Sequence, residues 1–202
     1  MFFGTGNNSY DDDDDEEFTV CKVTVGVFGD IRRFQLLLEK MSDGYDDADE
    51  DSLHGVLQDT LTTLLRNIQF VGYGATAGKV FDQLEDAESK FNSVLMEERA
   101  KFREETYVNV GGRKKRRAAT ELGTGNGLDE WLAITLVIAT EGSVKLPKIR
   151  GVAEMKKSLT MLAGISRDDL VAMELLWTPQ AEGDSYSKDE LVMDYPALAI
   201  IA

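Results

Sequence analysis

The chain has 202 residues, 43% of them hydrophobic, with a formal charge of −15, a single cysteine and a single histidine. Length and apolar content suit one domain with a proper core. The acidic balance excludes general nucleic-acid binding, because phosphates repel such a surface, and one cysteine excludes an intramolecular disulfide. The longest apolar run, Trp131 to Ala139, falls well short of the ~20 residues a spanning helix needs. No cationic segment followed by an apolar one opens the chain, so no signal peptide is visible.

Seven of the negative charges form the run Asp11 to Glu17. Like-charge repulsion and missing apolar content predict a disordered acidic tail over 1–17, ahead of one globular domain over 18–202. In TVCKVTVGVF, Cys21, Val23, Val25 and Val27 alternate with Lys22, Thr24 and Gly26. That period of two predicts a strand with one buried side and an inert buried thiol. Gly29-Asp30 turns the chain into a helix whose stripe is Ile31, Phe34, Leu37, Leu38 and Met41. After an acidic loop at 43–51, Leu53, Val56, Leu57, Leu61, Leu64, Leu65 and Ile68 mark a second helix, with Asp51 or Ser52 placed to cap it. A glycine-rich connection then leads to a long helix from about Lys79 to Thr106.

Residues 110–128 form a flexible loop, basic and rich in glycine. EWLAITLVIAT follows as the most apolar strand and the expected centre of the sheet. GVAEMKKSLTMLAGI is a further helix stopped by Gly164, and DLVAMELLW is a third strand. Lys188-Asp189-Glu190 opens a short last helix that Tyr195-Pro196 stops. The expected fold is α+β: a small three- to four-stranded sheet with about four helices packed mainly on one face, in the order β-α-α-α-β-α-β.

Several segments invite a chemical reading. FVGYGATAGKVF at 70–81 has the look of a phosphate loop. A Walker A motif, however, needs glycine where Tyr73 stands and a hydroxyl residue where Val80 stands. Gly72, Gly74 and Ala77 match the looser G-x-G-x-x-A turn, but that turn must follow a buried strand, and helical periodicity precedes it. The segment therefore reads as a flexible link between helices. A nucleotide or other small molecule bound at Gly72–Lys79 is the alternative function, and an assembly chaperone is another. Asp47, Asp49 and Asp51 begin like an EF-hand loop, yet Ser52 and Gln58 replace its essential glycine and glutamate. His54 has no second ligand nearby and reads as a helix-surface residue. Neither a catalytic group nor a cofactor or metal site is expected. Arg113, Lys114, Lys115, Arg116 and Arg117 are the sharpest charge cluster, suited to an anionic membrane surface.

Two blocks carry a family resemblance. The first comprises Glu88, Phe91, Asn92, Glu97-Glu98-Arg99, Lys101-Phe102, Glu105-Thr106 and Asn109. The second comprises Trp177-Thr178-Pro179-Gln180, Gly183-Asp184, Leu191, Tyr195-Pro196 and Leu198. Together they resemble domain of unknown function 1517, a family of cyanobacterial and chloroplast proteins that includes the plant fluctuating-light acclimation proteins. The resemblance implies a chloroplast or cyanobacterial setting, thylakoid or other membrane association of the full-length protein, and a role in photosynthetic acclimation. Family members usually carry targeting and hydrophobic segments ahead of this domain, so the chain reads as the soluble part of a longer precursor. The family supplies no catalytic residues to transfer. The expectation is a non-enzymatic domain whose partner is a membrane protein or an anionic membrane surface. It would bind through Trp177, Thr178, Pro179, Gln180, Glu182 and Asp184, the exposed face of the long helix, or the basic cluster.

Overall fold

The computed structural model describes residues 16–45, 51–110, 130–180 and 184–201. The acidic run up to Asp15, Asp47 and Asp49, the basic cluster 113–117 and Glu182 lie outside the described residues, as does the expected loop apart from Val110. In chain order the elements are β1 (Phe18–Phe28), α1 (Ile31–Asp43), α2 (Ser52–Arg66), β2 (Val71–Phe81), α3 (Leu84–Val110) and β3 (Trp131–Glu141). Then come α4 (Val152–Ala163), β4 (Leu170–Thr178), α5 (Lys188–Asp194) and β5 (Ala199–Ile200). The strands make one antiparallel sheet in the order β4-β3-β1-β2-β5.

This overturns the expected three- to four-stranded sheet with about four helices. Five strands and five α-helices are present among the described residues, and a strand separates α2 from α3. The supposed glycine-rich link is β2. Its residues pair with β1 from Phe18↔Phe81 to Val27↔Val71, and the long helix starts only at Leu84. Trp131–Glu141 is an interior strand, but β1 takes the middle of the sheet.

The glycines of β2 answer to packing. The β1–β2 register shifts between Gly26 and Val27, where Gly26 faces Tyr73 and Val27 faces Val71, so Gly72 is the extra residue of a bulge. A Cβ on Gly72 would stand 2.6 Å from Cη2 of Trp131, and one on Gly74 would stand 2.2 Å from Cε of Met155. Each glycine thus admits a large side chain flush against the backbone, on opposite faces of the sheet. Gly29, by contrast, is needed for its conformation: φ of 96° lets the chain leave β1 and enter α1, where Asp30 accepts a hydrogen bond from the Arg33 N–H.

Helices cover both faces of the sheet, not mainly one. On the first, Cys21, Val23, Val25 and Val27 pack with Leu132, Ile134, Leu136 and Ile138 under Phe34, Leu38, Leu57, Leu61, Leu64, Met155, Leu159 and Leu162 of α1, α2 and α4. On the second, Phe18, Val20, Val137, Ala139 and Leu176 lie under Ala87, Phe91, Val94 and Leu95 of α3. Beside them Tyr73, Trp131 and Ala133 lie under Leu191 and Tyr195 of α5 and its flank. The polar alternation of β1 is therefore not a solvent face. Thr24 and Gly26 are buried, Thr24 hydroxyl to Thr135 hydroxyl at 3.2 Å, and only Lys22 reaches out.

Candidate functional site

The turn after β4 begins inside the protein. Thr178 is wholly buried, and Pro179, joined to it by a cis peptide bond, is buried as well. The Pro179 carbonyl accepts a hydrogen bond at 3.0 Å from the Gln35 amide of α1, itself buried. Trp177 is half-buried against the α1–α2–α4 core, and its indole N–H has no acceptor among the described residues. Gln180 and Asp184 are exposed. The surface this turn offers is therefore an exposed edge of Trp177 with Gln180 and Asp184 nearby in the chain.

The other family block builds a charged centre that its residue types do not announce. Glu98, on α3, is buried over the sheet and accepts from Lys22 Nζ through Oε1 and from Lys101 Nζ through Oε2, each at 2.8 Å. Both lysine side chains remain about a quarter exposed, at 27% and 25%. Lys101 also lies 4.0 Å from the ring centroid of Tyr195, which follows α5. One carboxylate therefore ties β1, α3 and the C-terminal segment together. A detectable sequence signal exists: Lys22 breaks an otherwise uncharged strand, and Glu98 and Lys101 stand at i and i+3 of a helix. Arg99, the neighbour of Glu98, pairs instead with Glu174 on β4.

His54 lies in the first turn of α2, half-buried at the helix surface, and it links that helix to its neighbour. Its Nε2–H donates to the Ile165 carbonyl at 3.1 Å, and the Gln58 amide donates to Ala163 at 3.1 Å, so α2 satisfies carbonyls at the end of α4. Arg167 pairs with Asp51, the N-cap position of α2, at 2.8 Å. The Asp51 side chain makes no capping bond. Elsewhere, Glu141 is held above the usual carboxylate range by partial burial first and then by Glu16 and Asp169. A crevice beneath α3, lined by Phe18, Ala87, Phe91, Ala139 and Val171, has no room for a water molecule. Among the described residues no cluster of three or more histidine, cysteine or carboxylate side chains is arranged to hold a metal, and no helix is long and apolar enough to cross a membrane.

The two blocks thus meet through a helix laid across an antiparallel sheet, and the match to known proteins runs through both of them. The family described as protein of unknown function (DUF1517) matches residues 17–201, and the chain belongs to that family. Among its relatives is FLUCTUATING-LIGHT-ACCLIMATION protein 1, chloroplastic, of Arabidopsis thaliana. It is 35% identical over 185 residues, which cover 92% of this chain and 47% of the relative. Protein FLAP1 homolog A of Synechocystis is 30% identical over 206 residues, covering 98% of this chain and 61% of the relative. The chain therefore spans about half to three-fifths of the length of these curated relatives. No solved structure matches it.

Proposed function

We propose that this domain acts by binding, not by catalysis, in the acclimation of photosynthesis to changing light, beside a chloroplast or cyanobacterial membrane. The chloroplast or cyanobacterial setting, though not the membrane, follows the names of the two relatives. The observation that carries the binding reading is where the polar side chains of the family blocks are spent. Glu98 and Lys101 neutralise each other over the sheet, and the Pro179 carbonyl is taken by Gln35. These groups hold α3 and the β4 turn in place, which makes the blocks a scaffold presenting a surface. The surface offered is the exposed face of α3 and the Trp177 edge with Gln180 and Asp184; Arg113 to Arg117, outside the described residues, are a further candidate from the sequence alone.

The partner is a membrane protein or an anionic membrane surface. Affinity capture from solubilised thylakoid and envelope membranes tests the reading. Reproducible enrichment of membrane proteins or anionic lipid is the expected result. Capture indistinguishable from an unrelated acidic protein of similar size overturns it.

A further inference from the structure

Five cations, Lys145, Lys148, Arg150, Lys156 and Lys157, fall within thirteen residues that contain one carboxylate, Glu154. In a chain of net charge −15 this is a local reversal of sign. The segment leading to α4 has no regular secondary structure, yet it is tied down at several points. Thr19 Oγ1 donates to the Gly142 carbonyl at 2.6 Å and accepts from the Val144 N–H at 2.9 Å. Thr76 Oγ1, on β2, donates to the Pro147 carbonyl at 2.7 Å. Ile149 is buried in the main core, with Leu146 packed against it. With these apolar side chains turned in, Lys145, Lys148 and Arg150 are exposed, and so are Lys156 and Lys157 on α4.

Cations that serve the fold are paired: Lys22 and Lys101 with Glu98, Arg99 with Glu174, Arg167 with Asp51. None of the five joins an ion pair among the described residues. We propose that Lys145–Lys157 is a preformed basic shelf that docks the domain on an anionic lipid surface. Four of the five are lysines, compact point charges suited to a diffuse field of headgroups, without the planar fork that favours a defined carboxylate partner. Because the shelf is held by backbone bonds and core packing, binding requires little ordering of this segment.

This inference rests on the binding reading above and names both a partner and a place for it. The test is co-sedimentation of the full chain with phosphatidylcholine vesicles, with and without about one-third phosphatidylglycerol, at low and high salt. Binding to the anionic vesicles alone, lost at high salt, is expected. The variant K145Q/K148Q/R150Q/K156Q/K157Q should lose at least ~10-fold in vesicle affinity. R113Q/K114Q/K115Q/R116Q/R117Q, which removes the other candidate cations, should lose less affinity than the shelf variant does. All five shelf side chains are exposed, and an unchanged thermal melt verifies that the shelf variant is folded.

Wild-type affinity in the folded shelf variant overturns the proposal, as does loss confined to the 113–117 variant. Failure of the wild type to bind anionic vesicles overturns it too. If membrane proteins are still captured in that case, the binding reading survives and the shelf's lipid role alone is lost. If capture also fails, both fall.

Discussion

Gly72 has no room for a methyl group: the Cβ position is 2.6 Å from a rigid indole ring that is itself wedged between Phe28 and Tyr73. Gly72→Ala should therefore destabilise the protein by about 1–3 kcal/mol, as overpacking does. Gly74→Ala should cost less despite its shorter approach, because the obstructing atom is the free end of Met155. Urea denaturation would check this, and the reverse ranking would refute the packing account of the two glycines. Cys21 is a second residue whose behaviour follows from its surroundings. Burial pushes its thiol up to about 12, so the folded state holds the proton more tightly than the unfolded chain does. The corresponding stability is fully present below the unfolded thiol's value near 9 and is lost as pH rises from there toward 12. Native protein at neutral pH should resist iodoacetamide and react only on unfolding. Rapid labelling of the folded chain would contradict the burial. Cys21 was readable from alternation alone, whereas nothing local to Gly72 or Gly74 names Trp131 or Met155, which lie far along the chain.

At the scale of elements, α3 is the instructive case. It is held to the sheet by Phe91, buried at 2% exposure, and by the buried Glu98 with its two lysines. Glu98→Ala leaves two cations without their counter-charge. It should cost toward the low end of about 3–5 kcal/mol, since both lysine ends reach some water. Arg99→Ala, one residue along, removes an exposed pair with Glu174 and should cost no more than ~1 kcal/mol. Chemical denaturation of the two variants should separate them clearly, and equal effects would mean that the buried network does not hold the helix. Periodicity was sufficient for α1, α2 and α4, each with a stripe that could face a core. α5 was legible from its ends, Lys188-Asp189-Glu190 at the start and Tyr195-Pro196 at the stop, and the structure adds a capping box of Ser187 and Glu190. Periodicity was insufficient for β2. Alternation is present there, as Val71, Tyr73, Ala75 and Ala77, but the intervening glycines lower strand propensity and imitate a loop.

For the molecule as a whole, the decisive feature is that both faces of the sheet are covered. Trp131 and Tyr73 lie under Leu191 and Tyr195, so deleting the chain from Ser185 onward should expose Trp131. A red shift of tryptophan emission and a lower unfolding midpoint are expected. Emission unchanged from the intact chain would show that the C-terminal segment does not complete the second core. The sequence by itself determined the helices with clear stripes, the strands of strongest alternation or apolar run, and membership of the family through its two blocks. Each of these is a local pattern, set by side-chain spacing over a dozen or so residues. Only the tertiary structure decided that a glycine-rich segment is a strand, that helices lie on both faces, and that a family glutamate is buried between two lysines. Those outcomes depend on which distant side chain arrives at a given backbone position. A ring over Gly72, a methyl group over Gly74 and a carboxylate beside Lys22 come from separate parts of the chain, and close packing admits them only together.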